Sequence, residues 1–480
     1  MNEQKYIAVQ AVEAKAHLVQ LAAEKIWGYA ELSLQEERSA EILCDICERE
    51  GFRVERGICG IPTAFSASFG SGRPIIGLLA EYDALAGLSQ QAGAVEQKEL
   101  VSGGTGHGCG HNLLGAGALG AALGVKAWLE ATGTPGTVVL YGCPGEEGGA
   151  AKAFMAREEL WRGIDAALSW HPDDANEVVT GSTNACIQVQ YKFHGVASHA
   201  AGAPEKGRSA LDAVELMNIG VQFLREHMSD RARVHYAITD GGGRSPNVVQ
   251  PTASVLYMVR SDKVAEAVSL QARVDKIAEG AALMTETTFE RQFIDGLAET
   301  IPNHVLENLL QKNFAALGVP SHTEEELAYA KALSSTYPGS GAAPGTGSAY
   351  DPRYAAMATE LQKENGTAMN DFLLPLFEGD SFNPGSTDVG DVSWQTPAGQ
   401  IHVAAWPNGC PGHSWQNVSC ACTSLGFKAA VHAGKVLACT VIDLLTDGES
   451  LAAARKEFAL ATAAGYTCPI PADAVPVVPD

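Results

Sequence analysis

The chain has 480 residues, 46% apolar and 19% charged, which is ordinary globular composition with room for two or three domains. Its 33 basic and 56 acidic residues leave a net charge of -23, which argues against nucleic acid or an anionic membrane as partner, although a few pocket arginines can still hold an acidic substrate. Eleven cysteines, an odd number scattered over a long chain, argue against a disulfide framework; with no signal-like N-terminus and no uninterrupted apolar window near the roughly 18 residues of a membrane span, a cytoplasmic protein is expected.

Residues 8–30 and 37–50 carry apolar residues at three- and four-residue spacing, and each stretch predicts an amphipathic helix. Cys44 and Cys47 in the second, like Cys420 and Cys422 near the end, read as buried thiols. A strand is expected over residues 64–69. The run Pro74-Ile-Ile-Gly-Leu-Leu-Ala-Glu-Tyr-Asp83 is apolar until it stops on acids, as a buried parallel strand does when it delivers polar groups to its carboxyl edge. Glu81 and Asp83 are two apart and so face one side. Residues 86–105, rich in Gly, Gln and Ser, predict a long loop of the kind that carries function.

That loop leads into Gly106-His-Gly-Cys-Gly-His-Asn112, followed by a run of small apolar residues that predicts a buried helix. Glycines flanking Cys109 and His111 would let both side chains turn toward one point at the helix start. Taken alone, a C-x-H of this kind reads more readily as a buried thiol and a capping histidine. What that reading leaves unexplained is recurrence. The strand over residues 136–142 runs into Cys143-Pro-Gly-Glu-Glu-Gly-Gly149, where the adjacent carboxylates Glu146 and Glu147 would repel in an apolar pocket unless a cation lay beside them. A further strand, over residues 165–170, stops at His171-Pro172. Successive strand ends thus present candidate metal ligands.

Strand alternating with helix predicts an α/β fold, with a mainly parallel sheet flanked by helices and the ligands at the carboxyl ends of its strands. The pattern then changes. Strands over residues 186–193, 234–238, 253–259 and 287–293, with helices over 209–228 and 263–283, give a β-α-β-β-α-β order, typical of a small α+β sandwich of ferredoxin-like type. The expected domains are therefore residues 1–183 and 299–480, forming one catalytic unit, with residues 184–298 inserted. The inserted stretch carries its own polar groups: His199, Asn247 and Arg260. Residues 336–350 predict a surface loop, residues 401–405 a strand and residues 423–445 a long helix; His413, ahead of that helix, joins the ligand cluster only if this late strand enters the first sheet.

Together the strings Glu81-Tyr-Asp-Ala-Leu-Ala-Gly, Gly106-His-Gly-Cys-Gly-His-Asn112, Cys143-Pro-Gly-Glu-Glu-Gly-Gly149 and Ser386-Thr-Asp-Val-Gly-Asp-Val-Ser393 resemble the M20 metallopeptidase family, specifically its branch that cleaves N-acyl amino acids. The resemblance runs over nearly the whole chain. It implies two divalent metal ions held by Cys109, His111, Glu147, His171 and His413, with Glu146 as general base and Asp83 orienting a ligand. A thiolate favours zinc, while imidazoles and carboxylates also accept manganese, the metal toward which the branch points. The resemblance further implies that His199 on the inserted domain, reaching over from a partner subunit, stabilises the oxyanion, and that Asn247 and Arg260 hold the substrate carboxylate. A surface ion pair would explain Arg260 nearly as well. The branch has Glu81-Tyr-Asp83 where others have His-x-Asp, which leaves Glu81 without a role. The implied reaction is hydrolysis of p-aminobenzoyl-glutamate to p-aminobenzoate and glutamate by a homodimer, with another N-acyl amino acid, such as an indole-acetyl-aspartate conjugate, as the alternative substrate. A heteromer with a homologous subunit, active only in that company, is the alternative assembly.

Overall fold

The computed structural model describes residues 3–379 and 381–478. Helices α1 (Glu3–Ala14), α2 (Ala16–Tyr29) and α3 (Glu37–Arg49) open the chain. The single helix expected over residues 8–30 is broken at Lys15, whose φ of -98° and ψ of 7° leave the helical basin. Both halves bury the same kind of apolar stripe, so periodicity does not register a one-residue break. The strand β1 (Arg53–Arg56) went unread because its charged residues show no alternation. It pairs antiparallel with β2 (Phe65–Ser71).

The chain then lays down β3 (Ile75–Ala80), α4 (His111–Thr132), β4 (Gly136–Gly142), α5 (Ala151–Arg157), β5 (Ala166–Asp173), β6 (Glu177–Val179) and the short β7 (Ser182–Thr183). It returns much later with β13 (Ala398–Ala404), and the strands join in the order β1-β2-β4-β3-β5-β13-β6. The centre of that sheet, β4-β3-β5-β13, is parallel, and its edges are antiparallel. His171 lies inside β5 and not beyond its end, because the strand continues past Pro172 to pair with β13.

Residues 185–297 form a second, antiparallel sheet from β8 (Ala185–His194), α6 (Ala210–Leu224), β9 (Arg233–Asp240), β10 (Thr252–Ser261), α7 (Val264–Thr285) and β11 (Thr288–Leu297). The strand order is β11-β8-β10-β9. The helix expected over residues 209–228 leaves the α form at Leu224 and finishes as a 3-10 turn. Both helices pack on one face of the sheet, where Val189, Tyr191, Val234, Tyr257 and Val259 form a core distinct from that of the first sheet. By strand alternation, Arg233, His235 and Arg260 therefore sit on the other, open face.

The remainder comprises α8 (His304–Leu317), α9 (Glu324–Ser334), α10 (Pro352–Asn365), β12 (Phe382–Asn383), α11 (Val389–Ser393), β13 (Ala398–Ala404), α12 (Trp415–Cys420), α13 (Ser424–Thr446) and α14 (Gly448–Ala461). Helices α4 and α13 pack against each other so closely that a Cβ on Gly434 would lie 3.1 Å from the Gly117 carbonyl oxygen. Both are long and apolar enough to cross a membrane, yet 89% and 78% of their apolar windows are buried inside the protein. They are core helices of the first sheet.

Candidate active site

The carboxyl ends of the parallel strands deliver the side chains that matter. β3 ends just before Glu81 and Asp83, β4 before Glu146 and Glu147, and β5 carries His171. Helix α4 begins at His111, immediately after Cys109 and Gly110. Gly110 has a φ of 76°, and a Cβ there would meet Pro172 Cγ at 2.7 Å and Trp406 Cζ3 at 3.0 Å, so only glycine permits this turn. The entry of β13 beside β5 brings the following loop over the same edge. His413, with the left-handed φ of 52°, reaches the cluster from that loop.

The result is a convergent group. Cys109 Sγ lies 3.3 Å from His171 Nε2, and His413 Nε2 lies 3.4 Å from Glu147 Oε1. His111 Nε2 is 3.4 Å from Glu81 Oε2 and 4.0 Å from Glu146 Oε2. Three overlapping triads, Cys109/His111/His171, Cys109/Glu147/His413 and Glu81/His111/Glu146, each hold their donor atoms within 4.8 Å of one another. His111 Nε2 and Glu147 Oε1 are buried without a hydrogen-bond partner. Buried polar atoms are ordinarily satisfied, so convergent orphans among sulfur, imidazole and carboxylate donors fit divalent cations.

The surrounding electrostatics agree. Asp83 accepts from His111 Nδ1 at 2.8 Å, from Ser33 Oγ at 2.8 Å and from the Glu147 backbone N–H at 2.9 Å. Burial alone would raise its carboxyl, but the His111 charge and these donors bring it down to about 2. With Nδ1 engaged, His111 turns Nε2 inward, the usual arrangement of a ligating histidine and its carboxylate. Burial, then the nearby His111 and His402, lowers His171 to about 3, which favours the neutral imidazole that a metal ion would need. Burial, followed by the Glu81 and Glu147 charges, pushes Glu146 well above its ordinary value, as suits a group that must accept a proton.

Glu81 now has surroundings. Its Oε1 lies 2.8 Å from the ammonium of Lys152, which is wholly buried on α5 and lies 2.6 Å from Asp388 Oδ1. Burial would lower the lysine, but Asp388 and Glu81 hold it well above its usual value, so a cation is fixed behind the acidic cluster. Neither Lys152 nor the part played by Asp388 was foreseen; the sole sequence signal is one lysine in an otherwise small and apolar run. The cleft in front of the cluster measures about 340 Å³ and is bordered by Thr180, Ser182, Ser386, Thr387 and His402. That is enough for a small acyl amino acid.

The remaining expected residues lie outside this cluster. His199 is exposed on the open loop after β8; its Nδ1 accepts from the N–H groups of Ala201 and Gly202 at 3.2 and 3.1 Å. Asn247 is exposed beside it and accepts from the Ala200 N–H through its backbone carbonyl. Arg260 is half-buried and donates to Ser386 Oγ at 2.9 Å, on the rim of the cleft. It forms no surface ion pair among the described residues.

Comparisons with known proteins identify the family. The profile of peptidase family M20/M25/M40 matches residues 77–362. One subunit of p-aminobenzoyl-glutamate hydrolase from Escherichia coli (strain K12) is 44% identical over 473 residues, covering 97% of each chain. Xaa-Arg dipeptidase of Mus musculus is 28% identical over 67% of this chain and 73% of its own. The solved aminobenzoyl-glutamate utilization protein of Klebsiella pneumoniae shares the fold, with a TM-score of 0.59 at 17% identity, over 90% of this chain and 97% of that one. Family match, near-full-length relative and convergent donor cluster lead to one conclusion: the chain belongs to peptidase family M20/M25/M40 and is a metal-dependent amidohydrolase.

Proposed function

We propose that this enzyme hydrolyses p-aminobenzoyl-glutamate to p-aminobenzoate and glutamate. The observation that carries the substrate is the 44% identity, over 97% of both chains, to a hydrolase subunit named for that reaction. The geometry supports the chemistry. Cys109, His111, Glu147, His171 and His413 would hold two divalent cations, manganese in preference to zinc. When bound, such ions supply Lewis acidity to the amide carbonyl and lower the pKa of water from 15.7 toward roughly 7. Glu146 takes the proton of the attacking water and delivers it to the leaving amine nitrogen. Asp83 holds the His111 tautomer, and Lys152 keeps Glu81 in place. Arg260 receives a substrate carboxylate, and Asn247 of the partner subunit, beside His199, reaches the substrate with that histidine.

The oxyanion needs a donor that the convergent cluster does not itself contain. His199 is assigned that part, delivered by a partner subunit, because it stands exposed on the second sheet and outside its own chain's cleft. Residues 184–298 then act as an inserted dimerisation and lid domain on a catalytic domain of residues 1–183 and 299–480. A homodimer satisfies this requirement; since the Escherichia coli relative is named as one subunit of its hydrolase, a heteromer with a homologous chain would satisfy it equally. A cytoplasmic location belongs to the same proposal, supported by eleven unpaired cysteines.

The test is release of p-aminobenzoate by the purified chain alone, stripped of metal and reloaded separately with manganese and zinc. Activity restored by manganese supports the reading. Silence with both metals despite stoichiometric uptake would overturn the substrate, or restrict activity to an assembly with a second chain.

A further inference from the structure

On the open face of the second sheet, Arg233 and Arg260 stand directly opposite each other in the β9–β10 register, with His235 two residues further along. Like charges paired across a sheet destabilise it unless something negative lies between or beside them. Among the described residues neither guanidinium meets a carboxylate: Arg233 donates to the carbonyls of Asp230 and Ala232 at 2.6 and 2.7 Å, and Arg260 to Met258 Sδ and Ser386 Oγ at 3.2 and 2.9 Å. Both border a groove with Arg231, His235, Phe382 and Asp230, the last the one acidic residue among the described residues that border it. Arg231, by contrast, has a partner, Asp262, at 3.4 Å. Partial burial and then the charges of Arg260, Arg225 and Arg233 lower His235, an independent sign of excess positive potential. Such an excess is conspicuous on a chain of net charge -23.

The groove is not remote from the chemistry. Phe382, Pro384 and Gly385 border it, while Asn383, Gly385, Ser386 and Thr387 border the catalytic cleft, so the two adjoin along this segment and share Gly385. Two residues past Ser386, Asp388 pairs with Lys152 and, through it, with Glu81.

We propose that Arg233 is the second arm of a dicarboxylate site shared with Arg260, selecting substrates whose amino-acid part carries a carboxylate on its side chain. This rests on the hydrolysis of N-acyl amino acids proposed above and adds what sets the amino-acid preference. One guanidinium takes the α-carboxylate and the other the side-chain carboxylate, each in the planar two-point geometry that arginine favours. A neutral side chain would leave Arg233 without an anion.

The experiment compares p-aminobenzoyl-glutamate with p-aminobenzoyl-glutamine in the metal-loaded wild type, Arg233→Met and Arg233→Lys. The expected result is a wild-type preference for the glutamate, and a loss of about 10-fold or more in kcat/KM for the glutamate in Arg233→Met, mostly through KM. The loss on the glutamine should be far smaller, and Arg233→Lys should recover part of the preference. Equal losses on both substrates, or none on either, would overturn the proposal. Calorimetric titration with glutarate, a dicarboxylate without an amide, reads the site even if neither amide is cleaved. Binding about 10-fold weaker in Arg233→Met supports the dicarboxylate site and confines the failure to the substrate; unchanged binding overturns the site itself.

Discussion

At the carboxyl edge of the seven-stranded sheet, Asp83 meets His111 and Lys152 lies between Glu81 and Asp388, whereas on the open face of the four-stranded sheet Arg233 and Arg260 adjoin with no carboxylate between them. The first region is buried, with like-charged carboxylates around Glu146 and convergent donor atoms that suit a cation. The second is more exposed, and neither Arg233 nor Arg260 forms an ion pair among the described residues. The contrast reflects what each is for: a buried cluster is fixed in advance for chemistry, while an uncompensated surface pair is completed by a ligand.

That contrast fails outright if the cluster is not the chemical centre. Glu146→Gln should lower kcat by up to about 10⁴-fold while metal content, measured by mass spectrometry, and substrate affinity persist. Loss of metal instead would mean that Glu146 is a ligand and not the base. Lys152→Met leaves the Glu81 and Asp388 carboxylates buried without their cation, and should cost about 3–5 kcal/mol in urea unfolding; a loss under about 1 kcal/mol would show that the two carboxylates do not depend on it.

The second sheet's part in chemistry is tested by His199→Ala, which should lower kcat by about 10²–10³-fold with a smaller effect on KM. Mixing that variant with Glu146→Gln should restore part of the activity if the histidine crosses between subunits. No recovery would place the donor in the same chain.

A weaker effect reads burial at a histidine that has no carboxylate partner among the described residues, with Lys435 adding to the same direction. His432 lies against the Gly318 carbonyl, and burial lowers it to about 4. Its folded value lies below the unfolded one of about 6.5, so the unfolded chain binds the extra proton and stability falls as pH drops from about 6.5 toward 4. Between pH 6.5 and 5 this amounts to about 2 kcal/mol. Urea titrations should find a smaller drop over that interval in His432→Gln, which keeps a donor for Gly318; equal drops would show that this histidine does not carry the effect.

Much of the cluster was legible because apolar strands that stop on acids, and glycines around a cysteine and a histidine, are costly patterns outside a functional site: Asp83, Cys109, His111, Glu146, Glu147, His171 and His413 do converge on one edge. Lys152 was not legible. One lysine in Ala150-Ala-Lys-Ala-Phe-Met155 looks like a solvated helix position, and its partner Asp388 lies 236 residues away. Arg233 was missed for a related reason, since a charged residue on an exposed edge strand acquires meaning only from the register that sets it against Arg260. The break at Lys15 and the strand β1 escaped because neither changes an apolar pattern.

The most direct test of the metal centre is anomalous diffraction from crystals of the manganese-loaded protein. A two-metal centre gives two peaks per chain among Cys109, His111, Glu147, His171 and His413, both lost in Cys109→Ala, whose sulfur is common to the Cys109/His111/His171 and Cys109/Glu147/His413 groups. A single peak, or occupancy elsewhere in the chain, would contradict it.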